Sequence, residues 1–323
     1  MSRYRDEVAA ALAAVTIRAP TRYAWLGRMS RPLPARLAAE LDASERRSYL
    51  VSCLREELYF SFYCHGRPVE ARWGEPQPPF PDAWLTGALS RANAGRGSWD
   101  PGWTVERMEG EVAVVADGRL RARVALDECR GALAAGASVE VRLPKELPEA
   151  SPGYFTVLGD TAGPAGPTVR VYWHVTRSGA APLVAALTGR LNAEQVPFQL
   201  KVANHPSRLR RCDAAVLYMP GDEFDAATLR AIATALGTHL QPRVPAFTLE
   251  LAPGVGLAEE NGNAESFGVR RCALLAEAIV SAAEHGLTDP DARLEAVAAR
   301  FAEAGVEIDA PYLEPSLAGR HVL

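Results

Sequence analysis

Within one short stretch the chain changes its hydrophobic period twice. "VRVYWHVT" (169–176) alternates apolar and polar side chains, residues 179–193 switch to helical spacing, and "PFQLKVA" (197–203) alternates again. Period two marks a strand and period 3.6 a helix. The stretch is therefore a strand–helix–strand unit, with a crossover long enough to return the chain to the same sheet. A buried strand, "DAAVLYMP", follows. Then come a helix over about 223–238, the strand "AFTLEL", a long helix over about 265–285 and a last helix near 290–304. "APGVGLAEENG" reads as a loop with a glycine pair.

Upstream the pattern differs. "YRDEVAAALAAV" and "SERRSYLVSCLREELYFSFYCHG" carry helical spacing, with Ser44 as the entry of the second, and "PDAWLTGALSRAN" is a shorter third helix. "WGEPQPPFP" between them is a proline-rich connection. From about residue 102 strands begin: "WTVERMEGEVAVVADGRLRARVAL" alternates, with Asp117-Gly118 as a hairpin signal, and "ASVEVRLP" and "GYFTVLGD" follow. The expected fold is α+β. A mainly helical region, residues 1–98, precedes a mixed-sheet domain with flanking helices, residues 99–323. No internal repeat is visible.

A length of 323 residues is enough for a full core, and 48% hydrophobic with 23% charged residues is the composition of a globular protein. A net charge of −4 argues against nucleic-acid binding, which usually needs a basic field. No apolar run approaches the length of a membrane span. The N-terminal "MSRYRDEVAAALAAV" lacks the apolar core of a signal peptide. Five widely spaced cysteines are expected as free thiols. Together these features lead us to expect a cytoplasmic protein.

The cations are the most informative residues. Lys145 and Lys201 are the only lysines, against 33 arginines among 35 cationic side chains. Arginine does not give up its proton at any pH a protein meets, whereas a lysine in the right surroundings does. Lys201 lies inside a strand, with Gln199, on the face opposite Phe198, Leu200 and Val202. Arg170, Tyr172, His174 and Thr176 form the polar face of the preceding strand. If the two strands are neighbours, His174 and Lys201 share one face. The alternative is a solvated sheet face.

The long helix, "ESFGVRRCALLAEAIVSAAEHG", places two arginines in its first turns. Arg270 aligns with Glu277 and Glu284 and should face solvent. Arg271 aligns with Leu274, Leu275, Ala278 and Ala282, beside the buried stripe. An inward arginine needs an anionic partner: Glu265, Glu259 or a bound phosphate. Arg211, in "HPSRLRRCDAAVLYMP", is a further cation next to a buried strand. There is no P-loop, HExxH, CxxC or GxSxG motif, and the six histidines do not form a ligand cluster.

The run "VYWHVTRSGAAPLVAALTGRLNAEQVPFQLKVANHPSRLRRCDAAVLYMP", with "LPKELPEASPGYFTVLGD", "LAPGVGLAEENGNAESFGVRRCALLAEAI" and "RFAEAGVEIDAPYLEP", resembles the Hop-A type III effector family over roughly residues 100–315. Members of that family occur in plant pathogens. Others are lyases of ribosomal-peptide biosynthesis (thioamitides and class V lanthipeptides) that work beside an aminoglycoside-phosphotransferase-like kinase. A more distant similarity is to phosphothreonine lyase effectors, which use a histidine on one strand, a lysine on a following strand, and arginines for the phosphate.

The resemblance implies a phosphoserine/phosphothreonine lyase that forms dehydroalanine or dehydrobutyrine in a phosphorylated precursor peptide, without metal or organic cofactor. The alternative it leaves is a noncatalytic effector-type protein-binding module. Lys201 would be the base and His174 the general acid. Tyr218 or Tyr172 would supply a supporting hydroxyl. Arg211 and Arg271 would hold the phosphate, with Arg170 and Lys145 as further phosphate-binding candidates. The distant family has a lysine two residues before its histidine. Here that place is Tyr172, and Arg170 on the same face would supply the charge. Lys201, His174 and Arg271 are expected to line one concave basic pocket.

Overall fold

The computed structural model describes residues 2–70, 80–161, 163–262 and 265–323. The proline-rich connection at 73–81 lies mostly outside them. The chain begins with α1 (Arg3–Ala14), which runs directly into a small antiparallel sheet of β1 (Val15–Ala19), β2 (Arg22–Trp25) and β3 (Arg28–Met29). This sheet was not visible as alternation, because its strands are only two to five residues long. After α2 (Ala35–Glu40) comes the long α3 (Ala43–Ser61). It starts at Asp42 rather than Ser44: Asp42 accepts the Glu45 N–H while the Glu45 carboxylate accepts the Asp42 N–H, a reciprocal capping box. α4 (Ala83–Ala92) follows.

Residues 99–142 form a five-stranded antiparallel sheet from β4 (Trp99–Glu109), β5 (Val112–Ala116), β6 (Arg121–Ala125), β7 (Cys129–Gly131) and β8 (Ser138–Arg142). Asp117-Gly118 turns the β5–β6 hairpin as expected: Gly118 has φ +85°, and Asp117 accepts the N–H groups of Arg119 and Leu120. Trp103, Val105, Ala113, Val115, Val139 and Val141 make this sheet's own core.

The central sheet has seven strands in the order β14-β15-β11-β13-β12-β10-β9. They are β9 (Glu146–Ser151), β10 (Tyr154–Leu158), β11 (Thr168–Trp173), β12 (Gln199–Ala203), β13 (Ala215–Pro220), β14 (Leu249–Ala252) and β15 (Val255–Glu260). Between strands lie α5 (Ala180–Ala193) and α6 (Ala226–Leu236), and after them α7 (Phe267–Glu284) and α8 (Pro290–Glu303). β11, α5 and β12 form the expected strand–helix–strand unit, but the two strands are not neighbours. β13 inserts between them and pairs antiparallel with both.

β15 lies in the segment expected as a loop. Its six residues are all buried, and glycines mask the alternation. Gly254 turns the β14–β15 hairpin at φ +79°, and a Cβ on Gly256 would come within 2.6 Å of Thr248 Oγ1.

The α+β architecture follows from the two faces of this sheet. One face carries Val169, Val171, Trp173, Leu200, Val202, Leu217 and Leu257 and is covered by α4, α5 and α6. The other carries Tyr172, Val216 and Ala258 within a core built from α1, α3, α7 and α8, including Leu50, Leu54 and Leu58 of α3 and Leu275 and Ile279 of α7. Residues on both sides of position 98 thus share one core. All five cysteines are free, and Cys64, Cys212 and Cys272 are buried. No helix among the described residues is long and apolar enough to cross a membrane.

The second face is where α3 and α7 converge, and Gly268 lets α7 approach Tyr63, in the turn just after α3. A Cβ there would stand 2.3 Å from the Tyr63 ring. Glycine to alanine inside a helix normally stabilises by about 0.5–1 kcal/mol, but overpacking costs about 1–3 kcal/mol. The steric term should win: Gly268→Ala should lower the denaturation midpoint at unchanged m-value. A stabilised variant would show that this helix contact is loose.

A basic, tyrosine-walled cavity on the inner face of the sheet

Directly paired residues of neighbouring strands point to the same face. One row of the inner face therefore reads Thr156, Lys201, Val216, Tyr172, Gly256, and the next reads Gln199, Tyr218, Arg170, Ala258. α3 and α7 cover most of this face. Between the end of α3 and the start of α7 a cavity of about 240 Å³ remains. Lys201, Arg170, Tyr172, Tyr218 and Val216 form its floor. Its walls include Tyr59, Tyr63 and Tyr154, with Ser151, Pro152, Asp213 and Ser266. Four expected site residues, Lys201, Arg170, Tyr172 and Tyr218, are brought together here.

Lys201 Nζ makes no hydrogen bond or ion pair among the described residues; it lies 5.5 Å from the centre of the Tyr218 ring. Burial first, and the Arg170 charge second, push its pKa below the ordinary lysine value. Both effects disfavour an ammonium. Arg170 approaches the same ring at 5.0 Å. Its Nη2 forms an ion pair with Glu260 at 2.5 Å, and its Nε is buried without a hydrogen-bond partner among the described residues. The hydroxyls of Tyr172, beside Tyr63 and Arg170, and of Thr156, in register with Lys201, are also buried without a hydrogen bond of normal geometry among the described residues. Burial pushes Tyr172 up to about 12, against the opposing pull of Arg170, and raises Tyr218 as well. These phenols are protonated donors at neutral pH.

The other candidates lie elsewhere. His174 follows β11 on the same face but does not line the cavity. Its Nδ1 is 3.1 Å from the Arg243 carbonyl oxygen, and burial lowers its pKa although the Arg243 and Arg210 carbonyls oppose this. Burial thus disfavours the imidazolium that a general acid would need. Arg211 is taken by Asp213, with contacts of 2.7 and 2.6 Å, and reaches the Tyr59 hydroxyl at 3.2 Å.

Arg271 is inward, 2% exposed, but its hydrogen bonds go to neither Glu265 nor Glu259. It donates to the carbonyls of Pro311 and Leu313 at 2.7 Å each and packs on the Phe267 ring. Burial, then Arg270, lowers it to about 10. The expectation that Lys201, His174 and Arg271 line one pocket is therefore corrected. The segment after α8 folds back over α7 and supplies carbonyl acceptors that helical periodicity cannot reveal.

Arg270, expected in solvent, instead pairs with Glu260 at 3.2 Å and Glu314 at 2.8 Å. Lys145 donates to the Asn93 carbonyl at 2.9 Å, away from the cavity. Sequence reasoning missed Glu260, because the segment that forms β15 reads as a loop, and the wall tyrosines Tyr59 and Tyr63, because they belong to the helical region expected to stand apart from the sheet domain. No cluster of His, Cys, Asp and Glu suited to a metal occurs among the described residues.

The lysine's environment can be tested by linkage. With a folded-state pKa below the unfolded value of about 10.4, the unfolded chain binds more protons between those two values. Stability contributed at this site therefore rises with pH across that window. Lys201→Met removes the desolvated ammonium, so it should raise Tm at pH 7 relative to wild type. The gain should shrink as pH approaches 10. A variant that is less stable at pH 7 would show that a partner holds the lysine charged.

Among solved structures, the chain is similar to the effector protein from Pseudomonas syringae pv. tomato strain DC3000, at 19% identity and a TM-score of 0.38, covering 51% of this chain and 65% of that one. It is also similar to the effector protein from Pseudomonas syringae pv. syringae strain 61, at 17% identity and a TM-score of 0.43, covering 72% and 85%. The chain thus spans just under two thirds of the first of these. No curated protein matches it. The model of the HopA1 effector protein family matches residues 146–313, from β9 to beyond α8, and includes every floor residue of the cavity. The chain belongs to the HopA1 effector protein family.

Proposed function

We propose that the cavity binds a phosphorylated serine or threonine side chain of a precursor peptide and eliminates its phosphate. The observation that supports this most is Lys201, an unpaired, desolvated amine facing Arg170 across one strand. A neutral amine there removes the Cα proton. As the Cα–Cβ double bond forms, the Cβ–O bond breaks and its electron pair leaves with phosphate. Arg170 and the protonated Tyr172 and Tyr218 hydroxyls offset the charge growing on the phosphate oxygens. The proton on Lys201 then passes to the departing phosphate or to water. His174, Arg211, Arg271 and Lys145 have no part in this step. The chain carries no nucleotide-binding loop, so a separate kinase, of the aminoglycoside-phosphotransferase-like kind that the resemblance implies, would supply the phosphoester.

A second reading has its own support. The family is described by its effector members, and Arg211 and Arg271, the arginines first assigned to phosphate, are engaged within the fold. On that reading the cavity holds a ligand without turning it over and the protein is an effector-type binding module.

Phosphoserine and phosphothreonine peptides followed by mass spectrometry separate the two. The lyase reading expects loss of the elements of phosphoric acid. Lys201→Arg should slow that loss by about 10²–10⁴, the usual worth of a positioned base, with peptide affinity kept within a few-fold. Near-wild-type elimination by Lys201→Arg would remove the lysine from the base role. Binding without any mass change in the wild-type protein would select the noncatalytic reading.

A further inference from the structure

The second inference rests on the lyase reading and concerns which phosphoresidue the cavity prefers. Lys201 is on β12, Arg170 is on β11, and β13 runs between them. Val216 of β13 is directly opposite both Lys201 and Tyr172, and Tyr218 is directly opposite Arg170. Neighbouring strands are about 4.8 Å apart. A substrate with its Cα proton at Lys201 and its phosphate at Arg170 must therefore lay its Cβ across β13.

What Cβ meets there is chemically distinctive. Among the described residues lining the cavity, only Val216 and Pro152 have aliphatic side chains. Pro152 is in the turn between β9 and β10, at the rim. Val216 is on the floor beside the base, 6% exposed, flanked in its row by an amine and a phenol. An apolar patch at that place has no use for a phosphate oxygen or a peptide amide, but it suits a methyl group on Cβ.

We infer that Val216 seats the β-methyl of phosphothreonine, so that the cavity selects phosphothreonine over phosphoserine. The two substrates differ by that one methyl. Phosphoserine fills the base and phosphate positions equally well and leaves Val216 uncovered. One carbon more or less in a hydrophobic subsite changes kcat/KM by about 10–200-fold, so Val216 is a specificity-determining residue.

Two peptides identical except for phosphothreonine or phosphoserine test this. The ratio of their kcat/KM values is measured in wild type, Val216→Ala and Val216→Thr. Val216 also packs in the core beneath α3 and α7, so Val216→Ala can lower the folded fraction. The ratio, taken within one preparation, does not depend on that fraction, and Val216→Thr preserves volume. The phosphothreonine-to-phosphoserine ratio should fall about tenfold in both variants. An unchanged ratio in both would overturn the inference while leaving the lyase reading intact. If wild type eliminates phosphate from neither peptide, the lyase reading fails and this inference fails with it.

Discussion

The buried pair between Arg170 and Glu260 is the constraint around which the inner face of the sheet is organised. A guanidinium and a carboxylate, their side chains 11% and 5% exposed, meet at 2.5 Å between adjacent antiparallel strands. Breaking such a pair by removing one partner typically costs about 3–5 kcal/mol, because the remaining charge is left buried and alone. Here the carboxylate is shared: Arg270, from the first turn of α7, reaches Glu260 and Glu314 together. One anion thereby locks the sheet to the helix above it and fixes the cation at the cavity floor. Among the described residues, the Arg170 Nε has no hydrogen-bond partner, and it lies on the same side as Lys201. Glu260 answers part of its charge without occupying all of its donors.

The division of labour among cations follows from that arrangement. Arg211 and Arg271 have their hydrogen bonds completed by Asp213 and by two main-chain carbonyls, so they brace the fold. Lys201 has none of these partners and lies among aromatic rings. A composition that writes nearly every cation as arginine, yet keeps a lysine at the one floor position with a lowered proton affinity, fits a demand for reversible protonation. A demand for charge alone would have been met by arginine.

Much of this was legible beforehand, and the failures share a cause. Alternation in "VRVYWHVT" and "PFQLKVA" correctly put Arg170, Tyr172 and Lys201 on one polar face, because strand periodicity survives whatever the strand order is. Strand order itself is a tertiary property. β13 entered between β11 and β12, and this turned the expected His174–Lys201 adjacency into a Lys201–Val216–Tyr172 row. Helical periodicity likewise found that Arg271 is inward, but not that residues 311–313 would meet it. Glu260 stayed hidden behind Gly254 and Gly256, whose lack of side chains is required by the hairpin and by the close approach of Thr248. Close backbone approaches erase the hydrophobic pattern where packing is tightest, and here that was next to the site.

The central claim is that Lys201 is a desolvated amine able to act as a base, and with only two lysines in the chain it can be observed directly. Lysine labelled with ¹⁵N at Nζ gives two side-chain signals, assigned by comparison with Lys145→Arg. Following the Lys201 signal with pH should show it titrating below the ordinary lysine value of about 10.4. It should move upward when Arg170→Met removes the neighbouring charge, because that charge is the second cause of the shift. A Lys201 signal that titrates at or above the ordinary value would contradict the account, since an amine that stays protonated cannot take a proton from Cα.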